Sequence, residues 1–446
     1  MSINPARVDG YRRIPVSDPT GTERVDTRVR PGRPWRAPTM VAPIPFGAAL
    51  RTLLDAQEAA RTYARPVLRA HRRERLAASA GGLFRGSPAL FYALAAEHPG
   101  ARSLCQHQTP RWIVGDVHLE NLGVVVGPDG ALRYDFNDLD EAAVAPPGWD
   151  LLRATAACVV AAGDLGMPPQ TALAAARALL AGYTDGGEPK PPKALRLVLA
   201  LARSRTRRTL LDERAPVVKG RRRFVLGQRY LPLRLAERRT LAALVGAYCA
   251  RSPGAGLDAS AELLDAAFRV QGTGSLGVHR FAVLVRGSRG EVLLEAKEMR
   301  ASAVVAAGLG RPWTASGEKG RTEAERVTEA SLALLGPLDH PPLAEQGDDG
   351  RSYVVRRYSP GEDKLAVASL TGRPRALVSL AGVTGARLRE AHARSGGITR
   401  GITRGMARGM ARGMAVKAAL ALEVALDLAA AMTRAHLGIL ERERGT

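Results

Sequence analysis

Two short acidic segments of the chain contain the residue types that phosphoryl transfer requires. The first covers residues 115–121, GDVHLEN, and the second covers residues 135–141, DFNDLDE. Phosphoryl transfer needs one carboxylate to orient a hydroxyl, and an Asn and an Asp to hold Mg²⁺ on the nucleotide phosphates. We take Asp116 as the candidate catalytic base. Asn121 and Asp135 are the candidate magnesium ligands, because hard oxygen donors suit this ion.

Ordinary structural roles are open to the same residues. Asp and Asn are common in turns and helix caps, so Asp116, Asn121 and Asp135 could serve there instead. The other carboxylates of the second segment either hold a second ion or form a solvated acidic turn; they are Asp138, Asp140 and Glu141. We expect His118 to be a hydrogen-bonded structural residue rather than a metal ligand.

The pattern around the two segments indicates how they come together. Residues 111–114 read as a buried strand that enters the turn before Asp116. Residues 122–126 and 132–136 flank a Gly-Pro-Asp-Gly turn and predict a β-hairpin. Asn121 and Asp135 then lie at the open end of that hairpin, where both can reach one ion.

A glycine-rich loop, GTGSLG at 272–277, lies between two predicted strands. A dinucleotide site would need a helix directly after the glycines, whereas residues 281–285 are strand-like. The protein-kinase form of the motif fits better, because it covers phosphates between two strands. The loop residues expected at the nucleotide are Gly272, Gly274, Ser275 and Gly277. The alternative is an ordinary glycine-containing hairpin.

Lys297 lies on the third strand after this loop, where the kinase pattern has the lysine of the α- and β-phosphates. A helix predicted at 321–335 carries Glu325 and Glu329, either of which could pair with Lys297. The alternative is an ordinary surface lysine.

Composition and charge exclude few classes of protein. Hydrophobic residues are 46% of 446 and suffice for a large core, but aromatics are only 4%, so Ala, Leu and Val must do most of the packing. The net charge of +22 suggests binding to nucleic acid or to an anionic surface. However, the basic residues are mostly Arg, spread along the chain without the interleaved aromatics that stack on bases. We therefore interpret the charge as the Arg-rich surface typical of proteins encoded by GC-rich genomes, and we expect no nucleic-acid partner.

Cysteine usage and hydropathy suggest a cytoplasmic protein. Cys105, Cys158 and Cys249 lack paired metal-binding spacing, so we expect buried thiols in a reducing compartment. No apolar stretch has the length of a signal peptide or a membrane span. We expect no membrane partner.

Residues 115–136 resemble the catalytic loop of aminoglycoside phosphotransferases and choline kinases, and residues 149–151 resemble the segment that follows it. In those enzymes an Asp is followed five residues later by an Asn, and then by an Asp in an apolar-Asp-aromatic context, as at Asp116, Asn121 and Asp135. Trp149-Asp150-Leu151 resembles the start of their next helix. The resemblance implies ATP and Mg²⁺ as cofactors and a kinase-like fold.

Over most of its length the chain resembles a bacterial family, domain of unknown function 2252 (DUF2252), whose description implies no activity. The matching pieces are 84–86, 115–123, 135–141, 149–153, 274–277, 297–298, 326–329 and 391–395. Through this resemblance Glu329 is preferred over Glu325 as the partner of Lys297. Arg85 and Arg153 are expected to form salt bridges that brace the site.

The order of the motifs departs from kinases, because the glycine-rich loop and Lys297 follow the acidic segments instead of preceding them. A circular permutation would reconcile the two orders. Residues 386–393 would then correspond to the helix that leads into the catalytic loop. Val114 stands where many kinase-like enzymes have a His.

We therefore expect an α+β, two-lobed, protein-kinase-like fold with permuted lobes. The expected parts are an extended arm at 1–45, a helical large lobe at 46–260, a small β-rich nucleotide-binding lobe at 261–365, and C-terminal helices at 366–446. The Gly/Arg repeat at 396–415 is expected to be a flexible insertion, because each Gly disfavours helix.

The expected activity is ATP- and Mg²⁺-dependent phosphoryl transfer to a hydroxyl of an unknown small molecule or protein. One alternative is a catalytically silent, nucleotide-binding regulator of kinase-like fold. Another alternative is a metal-dependent phosphoesterase, because Asp116-Val117-His118 resembles the opening motif of that class. The Asn-His pair that the class also needs occurs nowhere in the chain.

Overall fold

The computed structural model describes residues 52, 54–58, 63–252, 256–313, 321–396 and 403–444, and for 403–417 and 441–444 it describes the backbone alone. The predicted arm at 1–45 and residues 397–402 of the Gly/Arg repeat lie outside the described residues. Within the described residues the protein has a mixed α+β fold, which confirms the predicted class at that level.

Helices make up most of the described chain. In order they are α1 (Val67–Ala77), α2 (Ala80–Gly86), α3 (Pro88–Glu97), α4 (Pro99–Cys105), α5 (Gly148–Asp164), α6 (Pro169–Thr184), α7 (Lys193–Ser204), α8 (Arg207–Arg214), α9 (Leu235–Arg251), α10 (Ala303–Ala306), α11 (Glu323–Leu335), α12 (Pro374–Ser395) and α13 (Thr403–Arg444). Several begin with Pro in the first turn, where its missing N–H costs nothing. The capping box of Thr322 and Glu325 begins α11.

The strands form one large sheet and three short ladders. They are β1 (Arg111–Ile113), β2 (Leu122–Val126), β3 (Leu132–Phe136), β4 (Ala143–Ala145), β5 (Val217–Val218), β6 (Arg221–Arg222), β7 (Tyr230–Leu231), β8 (Glu262–Arg269), β9 (Arg280–Gly287), β10 (Gly290–Glu298), β11 (Leu343–Gln346) and β12 (Ser352–Arg357). The large sheet is antiparallel in the order β11-β12-β10-β9-β8-β7. The predicted hairpin is confirmed as β2–β3.

The large sheet packs on both faces. One face lies against α9, with Phe281, Val283, Leu244 and Tyr248 among the buried residues. The opposite face lies against α8 and the chain after it, with Leu284, Leu293, Leu210 and Phe224 among the buried residues. Lys297 is on the same face as Leu293, because side chains alternate along β10. This face therefore changes from apolar at one end to charged at the other.

Two differences from the predicted elements have local causes. The Ala-rich tract after Trp149 is two helices: Gly166, with φ +64°, follows the end of α5 at Asp164, and Pro169 stands in the first turn of α6. The backbone from Thr403 to Arg444 is one helix, so residues 403–415 of the repeat are helical rather than the expected flexible insertion. All three cysteines are free and buried, as predicted. In the part of the chain that is described, no helix combines the length and apolarity needed to cross a bilayer.

Helix α12 crosses α6 at very short distance. A Cβ at Gly182 would overlap the carbonyl oxygen of Gly382, and a Cβ at Gly385 would overlap that of Leu179. Glycines at this crossing let the two backbones approach and join the C-terminal part of the chain to the helices that follow the acidic segments.

Gly385→Ala is therefore expected to lower the free energy of unfolding by about 2 kcal/mol, because two helices must separate to admit the methyl group. Urea denaturation measures the change. The matched control is Gly246→Ala in α9, which has open space around its Cα. That variant should be neutral or up to about 1 kcal/mol more stable. Equal stability of both variants would contradict the tight crossing.

Candidate functional site

Asn121 ties the two acidic segments together. Its side-chain Nδ2 donates hydrogen bonds to the backbone oxygens of Asp116 at 2.7 Å and Asp138 at 2.9 Å. Its Oδ1 accepts a hydrogen bond from the backbone N–H of Asp138 at 3.0 Å. The residue is 1% exposed. Asn121 is thus a buried clamp, and its Oδ1 retains one lone pair for a further ligand.

Asp116 lies beside a buried arginine. Arg153 donates from Nε to Asp116 Oδ1 at 2.9 Å, and its Nη2 also contacts this oxygen. The Arg153 guanidinium stacks over the rings of Phe84 and Phe91. Burial raises the pKa of the Asp116 carboxyl, and the positive charge of Arg153 opposes that rise. Arg153 therefore braces the candidate base, as predicted, and leaves Asp116 Oδ2 outside that bond.

His118 stands on the open side of Asp116, with its Nε2 3.8 Å from Asp116 Oδ2. Its Nδ1 accepts a hydrogen bond from the backbone N–H of Glu120 at 3.2 Å, which supports the predicted structural role. Burial, followed by the charges of Arg85 and Arg153, holds the pKa of His118 well below its ordinary value. Arg85 also forms an ion pair with Glu120 and so braces this segment, as predicted.

The turn before Asp116 is held by Asp150 at the start of α5. Asp150 is fully buried and accepts hydrogen bonds from the backbone N–H groups of Val114 at 2.7 Å and Gly115 at 2.8 Å. The Nε2 of His392, from α12, lies 3.0 Å from the same carboxylate. Gly115 has φ +79°, and a Cβ there would overlap the carbonyl oxygen of Glu141, so the two acidic segments touch at this glycine.

Asp135 has a different environment from the one predicted for a magnesium ligand. Its Oδ2 accepts a hydrogen bond from Arg394 Nη2 at 2.8 Å, and its side chain is 1% exposed. Arg133 Nε lies 3.5 Å from the same oxygen. Burial raises the pKa of Asp135, and the charge of Arg394 opposes the rise. The carboxylate is therefore engaged in a buried ion pair between the hairpin and α12, which leaves it poorly placed for a solvated ion.

Lys297 reaches the second acidic segment. Its Nζ lies 3.5 Å from Asp138 Oδ1 and forms an ion pair with Asp140 Oδ2. The predicted pairing of Lys297 with Glu329 is not seen among the contacts of the described residues: the Glu329 side chain is half exposed, and its Oε2 lies 3.9 Å from Arg321 Nη1. The physical reason is that the loop carboxylates occupy the ammonium group, whereas Glu329 faces solvent.

The pKa values of the two carboxylates at Lys297 are shifted in opposite directions. Burial acts to raise the pKa of Asp138, but the charges of Lys297 and Lys364 hold it below its ordinary value. Burial and then the negative charge of Asp138 raise the pKa of Asp140 to about 6. A cation bound beside these two carboxylates would lower the pKa of Asp140.

The glycine-rich loop lies at the same end of the sheet as Lys297. It precedes Arg280, which is opposite Lys297 in the β9–β10 register. Its carbonyl groups bind α1: Arg72 Nη1 donates to the oxygen of Thr273 at 2.5 Å, and Arg75 contacts that of Gly272. Gly277 has φ +106° and a Cβ there would meet the Tyr63 ring, so this position requires glycine.

The loop also approaches the first acidic segment. A Cβ at Gly274 would lie 3.3 Å from the backbone oxygen of Arg85, whose side chain contacts Glu120. Ser275 Oγ donates to the backbone oxygen of Gln271 at 3.3 Å. The glycine-rich loop, the two acidic segments and Lys297 therefore lie close together. The predicted role of the loop N–H groups in binding phosphates stays a prediction.

Arg326 is a supporting residue to which the sequence analysis gave no role. It is 1% exposed and donates from Nη2 to the backbone oxygens of Asp140 at 2.7 Å and Arg300 at 2.9 Å. Its Nη1 contacts the oxygen of Ala142. Only the family resemblance, which includes residues 326–329, pointed to it. A buried arginine far along the chain gives no local pattern.

The described residues of the site do not form a complete set of ligands for a metal ion. Among the described residues, no three His, Cys, Asp or Glu side chains are grouped as a metal centre. Magnesium in nucleotide sites needs only one or two carboxylates, with water and phosphate oxygens completing the shell. Asp138 and Asp140, with the Oδ1 of Asn121 beside them, fit that requirement better than Asp135.

Glu141→Gln tests the electrostatics of this loop in protein treated with a chelator. Burial raises the pKa of Glu141 from 4.5 to about 7, although its Oε2 accepts a hydrogen bond from the backbone N–H of Ala303. A raised carboxyl pKa removes stability as pH rises from about 4.5 to about 7. The variant should therefore match the wild type in acid and exceed it by about 2 kcal/mol at pH 8. Chemical denaturation at several pH values measures this; a constant difference would refute it.

The fold and the site together define an α+β protein in which acidic loops meet a lysine of an antiparallel sheet. The chain belongs to DUF2252, a family described as uncharacterized proteins conserved in bacteria, whose model matches residues 65–186 and 188–441. The predicted family membership is confirmed. No curated protein and no solved structure matches the chain.

Proposed function

We propose that this protein is an ATP- and Mg²⁺-dependent phosphotransferase with a kinase-like, circularly permuted fold. The observation that carries the proposal is the contact of Lys297 with Asp138 and Asp140. Two motif sets more than 150 residues apart in the chain meet there, and each alone would be weak evidence. Coincidence is a poor explanation, because kinase chemistry requires a lysine and metal-binding acids at one set of phosphates.

The roles follow from the contacts. Asp116 would orient the acceptor hydroxyl through Oδ2 and accept its proton, because Oδ1 is held by Arg153. Lys297 would bind phosphate oxygens. Asp138 and Asp140, with Asn121, would hold Mg²⁺, which supplies charge neutralisation on the phosphates. In this proposal Asp135 is a structural ion-pair partner of Arg394, in contrast to the metal role expected from spacing.

The permuted order is supported by the packing of α12. This helix crosses α6 and gives His392 to Asp150 and Arg394 to Asp135, so the chain after the sheet returns to the acidic segments. A helix leading into the catalytic loop would occupy that position in an unpermuted kinase, as the sequence resemblance implies.

A catalytically silent nucleotide binder is the second candidate, favoured by the ion pairs that already satisfy Lys297 and Arg153. The phosphoesterase alternative is weaker, because the Nδ1 of His118 accepts a backbone hydrogen bond and no three-ligand group surrounds it among the described residues. Nucleotidyl transfer would use the same residues, so product analysis must separate it from phosphoryl transfer.

Nucleotide binding is tested by thermal unfolding with and without Mg-ATP. The wild type should be stabilised by Mg-ATP and much less by ATP with chelator. Lys297→Met and the double variant Asp138→Asn/Asp140→Asn should each lose this stabilisation, because phosphate and metal contacts disappear. Glu329→Gln is the matched control and should behave as wild type, since Glu329 does not contact Lys297. A wild type that gains no stability from Mg-ATP would end the proposal.

A further inference from the structure

A small hairpin outside the candidate site exposes an unusual set of side chains. The tip segment, residues 217–226, consists of β5, the two-residue turn 219–220, β6 and the four residues that follow β6. Its exposed aliphatic residues are Val217 at 60%, Val218 at 39%, Val225 at 58% and Leu226 at 56%. Aliphatic side chains of this size are normally exposed singly, so four within ten residues are an unusual concentration of exposed apolar groups that favours an apolar partner.

The tip segment is also basic. The side chains of Lys219, Arg221 and Arg223 are not paired with any described residue, and all three are exposed. Lys219 has φ +50°, the one non-glycine residue with positive φ in the described chain, and Gly220 has φ +77°. The two-residue turn therefore holds a lysine at its apex against the ordinary preference for Asn or Gly.

Two side chains of the tip segment attach it to the rest of the protein. Phe224 is 5% exposed, packs on the Tyr230 ring, and its backbone N–H donates to Asp265 at 2.7 Å. Arg222 forms ion pairs with Asp212 at 2.6 Å and Glu291 at 3.1 Å. The exposed residues are therefore presented by an ordered structure rather than by a loose end.

The tip segment and the candidate site lie at opposite ends of β10. Glu291, which binds Arg222, is near the start of that strand, and Lys297 is near its end, about 20 Å away at the usual rise per residue. A partner bound at the tip would leave the candidate site open. Its binding is independent of whether the protein transfers phosphate.

We propose that the tip segment binds the surface of a bilayer that contains anionic phospholipids. The three unpaired cations match the negative headgroups, and the four aliphatic side chains match the boundary between headgroups and acyl chains. The net charge of +22 adds a long-range attraction to the same surface. This inference reverses the expectation from the sequence that the protein has no membrane partner.

Lipid fits the tip segment better than nucleic acid does. Single strands bind basic surfaces through exposed aromatic rings, whereas the one aromatic residue of the tip segment, Phe224, is buried. Exposed valines and a leucine gain nothing from a phosphate backbone, but they gain from burial among acyl chains.

Cosedimentation of the full chain with vesicles tests the proposal. Vesicles of phosphatidylcholine with about one third phosphatidylglycerol should bind the wild type, and vesicles of phosphatidylcholine alone should bind it at least tenfold more weakly. Arg221→Gln/Arg223→Gln and Val225→Ser/Leu226→Ser should each weaken binding about tenfold or more. Both pairs are exposed, so thermal unfolding should stay unchanged.

Matched controls remove the same groups elsewhere. Arg238→Gln/Arg239→Gln removes two exposed arginines of α9, and Leu332→Ser removes an aliphatic side chain that is 64% exposed on α11. Both should bind vesicles within about twofold of wild type. Equal losses in controls and tip variants, or no binding to anionic vesicles, would overturn the proposal. So would tip-dependent binding to duplex or single-stranded nucleic acid, or a tip-dependent dimer, in the absence of vesicle binding.

Discussion

Asp116→Asn is expected to lower the rate of phosphoryl transfer by about 10²- to 10⁴-fold, the usual loss when a general base is removed. Asp138, Asp140 and Lys297 are unchanged in this variant, so Mg-ATP should still bind. The loss should therefore appear in kcat rather than in nucleotide affinity. Single-turnover assays with labelled ATP and a panel of hydroxyl acceptors measure it, with slow ATP hydrolysis as the fallback readout.

The variant has a structural cost that the experiment must separate from the chemical one. Arg153 is fully buried, and without the carboxylate of Asp116 its charge is unpaired, which costs about 3 kcal/mol of stability. The double variant Asp116→Asn/Arg153→Met removes both charges and should recover most of that stability. If activity also returned in the double variant, Asp116 would be only the partner of Arg153, and its assignment as base would be wrong.

Arg394→Ala is expected to destabilise the protein by about 3 kcal/mol, because it removes the hydrogen-bonded partner of the buried Asp135 carboxylate and leaves the weaker contact with Arg133 at 3.5 Å. The pKa of Asp135 is already raised in the folded protein and should rise further in the variant. A raised carboxyl pKa removes stability as pH increases through it, so the cost should be smallest near the ordinary value of 3.8 and largest at neutral pH.

Arg375→Ala is the matched control for that variant, since Arg375 is exposed on the same helix. It should change the free energy of unfolding by less than about 0.5 kcal/mol. Urea denaturation from acid to neutral pH compares the two. A pH-independent effect of Arg394→Ala, equal to that of the control, would show that the ion pair does not support Asp135.

Local features of the site could be predicted from the sequence because their causes are local. The β2–β3 hairpin follows from alternating apolar residues around a Gly-Pro-Asp-Gly turn, and it brings Asn121 opposite Asn137 at its open end. The strand that carries Lys297 follows in the same way from β-branched and apolar residues beside a turn. Neither prediction needed any knowledge of the rest of the chain.

Partners across the chain could not be predicted in this way. The kinase pattern and the family resemblance predict Glu329 as the partner of Lys297, whereas the ammonium group contacts Asp140, more than 150 residues earlier. Arg394 is 259 residues from Asp135, and no periodicity or spacing records that contact. Such pairs are fixed by tertiary packing alone.

The different burial of Asp135 and Asp138 could not be predicted from the sequence either. Asp135 lies within β3 and Asp138 follows that strand by two residues, and both side chains are carboxylates. Burial distinguishes them: the Asp135 side chain is 1% exposed, whereas that of Asp138 is 49% exposed and faces Lys297. The Asp135 carboxylate is paired with Arg394 of α12, a helix whose position beside the acidic segments was expected only from the resemblance.

The crossing of α12 over α6 has a consequence for the time course of biosynthesis. A ribosome makes the acidic segments first and releases Pro374–Ser395 only after another two hundred residues or so have been added. Until then Asp150 has no His392 and Asp135 has no Arg394. Nascent chains therefore carry the acidic motifs without the groups that fix them, and the candidate site becomes complete only after α12 has been made.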